Sequence, residues 1–426
     1  MEEHKFFRNH RKNIPPMKTI LFFPITFNLA ETTEAITIAR AIADDFHCHF
    51  ASYGGVFETL IEKAGFPITR LEPRLTPQKI KQIYAINQGK SFGHLHSIDY
   101  VRQMVRSELA LYQSVEPAAV VTGMNLSACI SCPTAQIPLV WLMQAGMALN
   151  TAARLGILKN MDVLDVTPLR WLPDRIRVKL SEILMDSFFV TVAKPYNQVG
   201  IEYGVKPFRC AEDVLWQDYH LLVVEPPGFS TIPLPPKAHF VGPLIARLDM
   251  PLPEEVLNLP RDRPIIYFAM GSSGRADIIA NIIAGLAGKP YRVIAPVKNL
   301  LEKRHVQIPE NVIVTDWLPA HKANLLADIS VIHGGIGTVM NACLAGKPAV
   351  GVAMSPEQFI NLENLVHQGF AIRLSQSRLS AASLCQAVEK LLADPVAQEK
   401  AREYQQVVAA WDTPQHLRSF FGETFG

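Results

Sequence analysis

The sequence predicts an α/β protein made of two halves, each a parallel sheet with helices, facing each other across a cleft. Three observations carry this. Short, continuously apolar runs alternate with helical patterns from residue 19 to residue 244, and the alternation restarts at residue 265. Strands buried on both faces of a parallel sheet read as such runs, and helices between them as crossovers. A proline-dense stretch, 226–260, separates the two series. With 426 residues in all, each half is long enough to bury its own core.

In order, T-I-L-F-F-P at 19–24 is the first strand and A-I-T-I-A-R-A-I-A at 35–43 the first helix. A strand at 48–52, a helix at 56–64 and a strand at 68–71 continue the rhythm. A long amphipathic helix follows at 97–114. Two more buried strands, 118–122 and 138–142, flank a helix at 127–135. The helix at 174–189 sets Ile176, Leu180, Ile183, Leu184 and Phe188 on one face, expected to pack on its own domain; a basic amphipathic helix also suits a bilayer surface. Strands at 221–224 and 240–244 close the first half. In the second half, strands at 265–269, 291–295, 312–315, 329–332 and 349–352 alternate with helices at 277–287 and 356–368 and a helical pattern in Val339, Ala342, Cys343 and Leu344, and helices at 379–392 and 396–410 follow. The expected division is a disordered extension at 1–16, an N-terminal domain at 17–240, a linker at 241–260, a C-terminal domain at 261–395, and terminal helices at 396–426 that cross back to the first domain.

Composition narrows the function. Net charge is +2, which gives no global field favouring nucleic acid. No run approaches the roughly 18–20 apolar residues of a membrane span, and the charged segment 1–16 is no secretory signal. Six scattered cysteines suit a reducing cytoplasm. Cys129 and Cys132 form one C-x-x-C with no second pair to complete a zinc site, so they read as small buried thiols.

The densest functional signal runs from 328 to 346, D-I-S-V-I-H-G-G-I-G-T-V-M-N-A-C-L-A-G. It reads as strand, glycine turn and helix start. Gly334, Gly335 and Gly337 let the backbone approach a ligand, and the N–H groups of a helix start attract phosphate. Turns between strand and helix use glycine routinely, so the neighbours give the signal its weight. His333, at a strand end, can donate to a diphosphate or sit satisfied in a core. Trp317, also past a strand end, can stack on a nucleobase or anchor a core. Glu357 and Gln358 offer acceptors and donors for sugar hydroxyls, although a helix dipole alone would favour the Glu. Ser272, in F-A-M-G-S-S-G at 268–274, can contact phosphate or sugar, or cap the next helix.

Five blocks, F-A-M-G-S-S-G at 268–274, W-L-P at 317–319, H-G-G-I-G-T at 333–338, A-G-K-P at 345–348 and P-E-Q-F-I-N at 356–361, resemble in order and spacing the GT-B glycosyltransferases, in particular the inverting UDP-glycosyltransferase branch that includes the UDP-glucuronosyltransferases. The first half matches that family in its rhythm and in V-G-P-L at 241–244. The resemblance implies a GT-B fold, two Rossmann-like domains facing each other across a cleft, and a metal-independent hexosyltransferase with no cofactor beyond a nucleotide-sugar, UDP-linked, as co-substrate. It implies that Trp317 stacks on the base, that His333, Gly335, Gly337 and Thr338 hold the diphosphate, and that Glu357 and Gln358 hold the donor sugar. Asn341 stands where the family has a Glu on the ribose hydroxyls, and Ala320 where many members have a Gln after W-x-P.

The catalytic side departs further. The family's base is a His just before the first helix, oriented by an Asp after the strand here ending at Thr122. Glu31 occupies the first place, and Gly123-Met124-Asn125 the second. Glu31 is the expected base, with Glu34, His94 and His96 as further candidates, the two histidines in an expected surface loop. Trp141, Met143 and Met147 suggest a lipophilic small-molecule acceptor. Rival readings are a UDP-sugar epimerase, a GT-B binding protein with altered catalysis, and an NAD-dependent oxidoreductase. For the last, Gly335-Ile336-Gly337 imitates part of a dinucleotide fingerprint without its third glycine.

Overall fold

The computed structural model describes residues 17–87, 91, 93–215, 219–245, 250–270, 276–302 and 306–426. The segment 1–16 and Ser272 lie outside the described residues.

Two parallel sheets form the scaffold. The first contains β1 (Thr19–Phe22), β2 (His47–Ser52), β3 (Ile68–Arg70), β4 (Ala119–Thr122), β5 (Leu139–Met143), β6 (His220–Val223) and β7 (Ala238–Phe240), in the order β3-β2-β1-β4-β5-β6-β7. The second contains β8 (Ile265–Ala269), β9 (Arg292–Ala295), β10 (Val312–Val314), β11 (Ile329–Ile332), β12 (Ala349–Gly351) and β13 (Ala371–Arg373), in the order β10-β9-β8-β11-β12-β13. β4, β5, β8 and β11 are buried at every residue, as their apolar runs require. In both sheets the order reverses beside the first strand, at β1/β4 and at β8/β11. Ligands in open parallel sheets bind at such switch points, beyond the carboxyl ends.

Local chemistry starts and stops the helices that reach these points. Asn28 caps the helix Leu29–Ile42, its side chain accepting from the N–H groups of Ala30 and Glu31 at 3.0 and 3.4 Å. The helix Ile336–Ala345 begins at Gly335 and ends at Gly346, whose φ of +64° suits glycine. The helix Pro356–Gln368 has Ser355 as its cap, proline in its first turn and Gly369 after its end.

Three expectations are corrected. The helix at 174–189 continues to Glu202, through Pro195, and its buried face carries Ser181, Met185, Val192 and Ala193. Ile176, Ile183 and Phe188, expected inside, are exposed, because apolar residues occur on more than one side of this helix. Trp141 and Met143 are sealed in the sheet core, as β5 is a central strand covered on both faces, so neither lines an open acceptor site. β13 and a helix at Pro77–Asn87 form where the sequence suggested no element.

The helix Pro395–Ala409 stays on the second half, where Gln405 donates to Leu344 O at 2.7 Å. The helix Thr413–Phe425 packs on the first half, with Phe421 against Phe46 and Lys18 donating to the carbonyl of Gly426. Among the described residues, no helix is long and apolar enough to cross a membrane.

Candidate active site

All the described candidate residues in the second half lie beyond carboxyl ends of its strands. His333 follows β11. Its Nδ1 lies 3.2 Å from the carbonyl of Ala269, at the end of β8, so the ring bridges the switch point. A carbonyl only accepts, so Nδ1 carries the proton and Nε2 is the nitrogen left for a ligand. Burial lowers the pKa of the ring, while the bond to Ala269 opposes that shift.

The glycines beside it differ in purpose. Gly334 has φ +87°, and a Cβ there would lie 2.6 Å from the Gln358 carbonyl. A Cβ on Gly335 would meet His333 Nε2 at 2.7 Å, whereas one on Gly337 meets nothing within 4 Å. Gly337 thus borders open space at the first turn of a helix, where N–H groups have no intrahelical partner. The Thr338 hydroxyl donates to Gly335 O at 2.8 Å. Asn341 donates to Gly337 O at 2.7 Å, leaving its buried Oδ1 without a partner. An acceptor in that position suits a hydroxyl donor such as a ribose OH.

Trp317 is 43% exposed and meets Phe57 of the first half edge-on, with ring centroids 5.7 Å apart. Its exposure leaves ring surface for stacking. Glu357 and Gln358 open the helix Pro356–Gln368. The Gln358 Oε1 accepts from Met354 N at 2.9 Å, fixing the loop after β12. Glu357 accepts from Gln144 at 2.6 Å and from Asn361 at 3.0 Å. Asn361 also donates to the Gln144 side chain and to Gly334 O. Gln144 belongs to the first half, just past β5, so this knot closes the cleft floor between the halves. Sequence reasoning gives no signal for this role of Gln144, since its partners lie more than two hundred residues away.

The first half presents Glu31 at its own switch point. Glu31 is 4% exposed, and its Oε1 accepts from the N–H groups of Gly123 and Met124, each at 3.1 Å. These are the residues after β4. Its Oε2 is buried without a partner. The fit at Gly123 is tight, since a Cβ would lie 3.2 Å from the carboxyl of Glu31. Burial pushes the carboxyl up to about 7, against backbone donors from Ile25, Gly123 and Met124. Glu31 and the Gly123-Met124 turn, which sequence placed at the two halves of the family's dyad, are therefore in contact.

Three more carboxylates share the cleft electrostatically. Glu34, partly exposed on the same helix, is pushed up to about 8 by burial and by the charges of Glu31, Glu357 and Glu225. Glu225, just past β6, accepts from Ala145 N at 2.7 Å and is also pushed up to about 8, chiefly by burial. Glu357 is raised to about 7 by burial, opposed by Gln144, Asn361 and Ser355. Four acids pushed up toward neutral pH by burial, Glu34 and Glu225 also by neighbouring carboxylates, suit proton transfer.

The histidine candidates lie elsewhere. His96 is buried rather than in a surface loop, stacked on Tyr100 at 4.7 Å, and burial holds its ring down at about 3. His94 donates through Nδ1 to Thr191 O at 2.8 Å. All six cysteines are free thiols, with Cys129 and Cys132 buried. Among the described residues no cluster of three or more His, Cys, Asp or Glu could hold a metal ion.

The sequence and fold have known relatives. Residues 283–420 match the family model described as Erythromycin biosynthesis protein CIII-like, C-terminal domain. A PGL/p-HBAD biosynthesis glycosyltransferase of Mycobacterium tuberculosis (strain ATCC 25177 / H37Ra) is 26% identical over 409 residues, 94% of this chain and 91% of the relative. UDP-glucuronosyltransferase 2B16 of Oryctolagus cuniculus is 29% identical over 177 residues, 40% of this chain and 33% of that protein. The structure of the spinosyn rhamnosyltransferase SpnG complexed with thymidine diphosphate superposes with a TM-score of 0.62 at 15% identity, covering 95% of this chain and 100% of SpnG. The chain thus has the GT-B fold and resembles glycosyltransferases, the UDP-glucuronosyltransferases among them, as the motif blocks implied. These relatives are transferases, which disfavours the epimerase reading.

Proposed function

We propose that this chain, of GT-B fold and with glycosyltransferase relatives over most of its length, is an inverting, metal-independent glycosyltransferase using a nucleotide-sugar, UDP-linked, and a small lipophilic acceptor. One observation carries the reading: Glu31 is buried at the β1/β4 switch point on two backbone N–H groups, with a free oxygen and a pKa near neutrality. A carboxylate so placed takes a proton from an acceptor hydroxyl. The acceptor oxygen then attacks the anomeric carbon from the face opposite the diphosphate. The bond from that carbon to the diphosphate oxygen breaks, and the nucleoside diphosphate leaves. Its growing charge falls to the N–H groups of the helix starting at Ile336 and to His333 Nε2. Because Nδ1 already donates to Ala269, His333 must enter as imidazolium to donate from Nε2. Trp317 takes the base, Asn341 Oδ1 a ribose hydroxyl, and Glu357 and Gln358 the sugar. Ser272, by resemblance, joins the phosphate contacts.

Met124, 44% exposed beside Glu31, gives the acceptor an apolar contact in place of the sealed Trp141 and Met143. The exposed stripe of Ile176, Ile183 and Val190, beside Lys179 and Lys194, supports peripheral bilayer contact by a cytoplasmic enzyme. The free thiols support the same compartment.

The test is transfer from labelled UDP-sugars, with dTDP-sugars alongside because SpnG binds thymidine diphosphate, to apolar hydroxylated acceptors in EDTA. Product with inverted anomeric configuration is expected, and loss of it in Glu31→Gln. Tight nucleotide binding with no transfer from any donor would sink the reading.

A further inference from the structure

A second carboxylate lies buried behind the turn that holds Glu31. Glu108, on the helix Ile98–Val115, is 0% exposed. Four side chains donate to it: the Tyr53 hydroxyl at 2.8 Å, Asn125 Nδ2 at 3.2 Å, the Ser131 hydroxyl at 2.5 Å, and the Ser127 hydroxyl. Burying a charge is costly, and only a full set of donors makes it tolerable. An amide could not replace it, because its NH2 would face one of these donors.

Two of the four donors tie this carboxylate to the active site. Asn125 and Ser127 belong to the segment 123–127 after β4, and Ser127 Oγ also lies 2.7 Å from Asn125 Oδ1. The other end of that segment supplies the Gly123 and Met124 N–H groups to Glu31. A continuous path therefore runs from Glu108 through Asn125 and Ser127 to the two amides and the base. Tyr53 and Ser131 bind Glu108 from outside the segment, on β2's exit and on the helix Ala128–Ala135.

We infer that Glu108 is a positioning residue for the base, clamping the segment 123–127 so that its two amides stay aimed at Glu31. The inference rests on the reading of Glu31 as base. It requires that loosening the clamp weaken the amide bonds that favour the ionised form of Glu31, so that Glu31 ionises at higher pH. The ionisable groups facing Glu108 are Tyr53, Tyr112, Tyr196, Cys129 and Cys132, all held neutral around pH 7 by burial. The charged group facing Glu31 is Glu34, which Glu31, Glu357 and Glu225 raise. None of these belongs to the clamp.

The experiment is the pH profile of kcat for Glu108→Gln, Ser127→Ala and Tyr53→Phe, with donor KM and thermal stability measured in parallel. Glu108→Gln and Ser127→Ala should move the acid limb about one pH unit toward alkaline and lower kcat near neutrality several-fold, with donor KM unchanged. Tyr53→Phe removes a donor outside the segment, so it should lower stability and leave the limb in place. If Glu108→Gln does not fold, Ser127→Ala decides. An unmoved limb in the clamp variants, or an equal shift in Tyr53→Phe, overturns the inference while Glu31→Gln remains inactive. An active Glu31→Gln overturns the underlying reading instead.

Discussion

The two switch points of this molecule are built alike and carry side chains of opposite chemistry. At β8/β11, His333 reaches from one strand end to the carbonyl of the other, leaving a nitrogen for a ligand. At β1/β4, Glu31 reaches from the first helix to the amides after β4, leaving an oxygen. Each side chain is oriented by backbone, and each keeps one polar atom in reserve. The first suits a departing anion, the second a departing proton. The fold supplies strand ends at both points, and in the proposed reaction the chemistry of one residue assigns each to the anion or to the proton.

Removing the reserve atoms should break this pairing most strongly. Glu31→Gln keeps size and one oxygen but cannot take a proton, so kcat should fall on the order of 10³-fold, with nucleotide affinity unchanged by titration calorimetry. His333→Gln should weaken nucleotide diphosphate binding about 10²-fold. The two walls should also titrate in opposite directions. As the proposed base Glu31 works ionised, so kcat should rise with pH through about 7. In the proposed site His333 works protonated, and burial lowers its pKa, so diphosphate affinity should be greatest in acid and decline as pH rises. His333→Gln should flatten the affinity profile and leave the kcat limb in place. A flat affinity profile in the unchanged protein would show that His333 binds as a neutral ring.

The same asymmetry explains what could be read from sequence. The positions of the candidate residues in the second half were legible because they are written in short blocks: a glycine turn, a Trp after a strand, an acid-Gln pair at a helix start. In the first half, Glu31 was placed by a departure from pattern, and its partners are backbone amides, which carry no residue signature. Gln144 and Glu108 were invisible for a related reason. Gln144 meets Glu357 and Asn361 across more than two hundred residues of chain, and Glu108 collects donors from three separate elements. Trp141 and the Ile176 stripe were misplaced because hydropathy tells that a residue avoids water, while which face it turns inward is fixed by packing. Both strand series were legible because strands buried on two faces leave unbroken apolar runs.

Smaller changes sharpen the comparison. Trp317→Ala removes the exposed indole and should weaken nucleotide binding roughly tenfold, the scale of one base–aromatic stack, with little effect on stability because the ring is half exposed. Equal weakening for UDP and dTDP would mark stacking without base selection. Gly123→Ala tests the opposite wall. Its Cβ would lie 3.2 Å from the Glu31 carboxyl, so the base must shift by a few tenths of an ångström. A loss of kcat of about fivefold is expected, with nucleotide affinity intact.

Gly337→Ala should give the smallest and most diagnostic effect. Its φ lies outside the left-handed region and an added Cβ meets no atom within 4 Å, so the protein has no steric need for glycine there. Alanine should raise the stability of the nucleotide-free protein by about 0.5 kcal/mol, as helix propensity favours it over glycine. If the open space beside Gly337 is where the diphosphate lies against the helix N-terminus, the same methyl should weaken nucleotide binding a few-fold. Equilibrium unfolding and calorimetry on one variant would read the two effects with opposite signs. A gain in stability with unchanged affinity would move the diphosphate away from the helix start and leave His333 as its principal anchor.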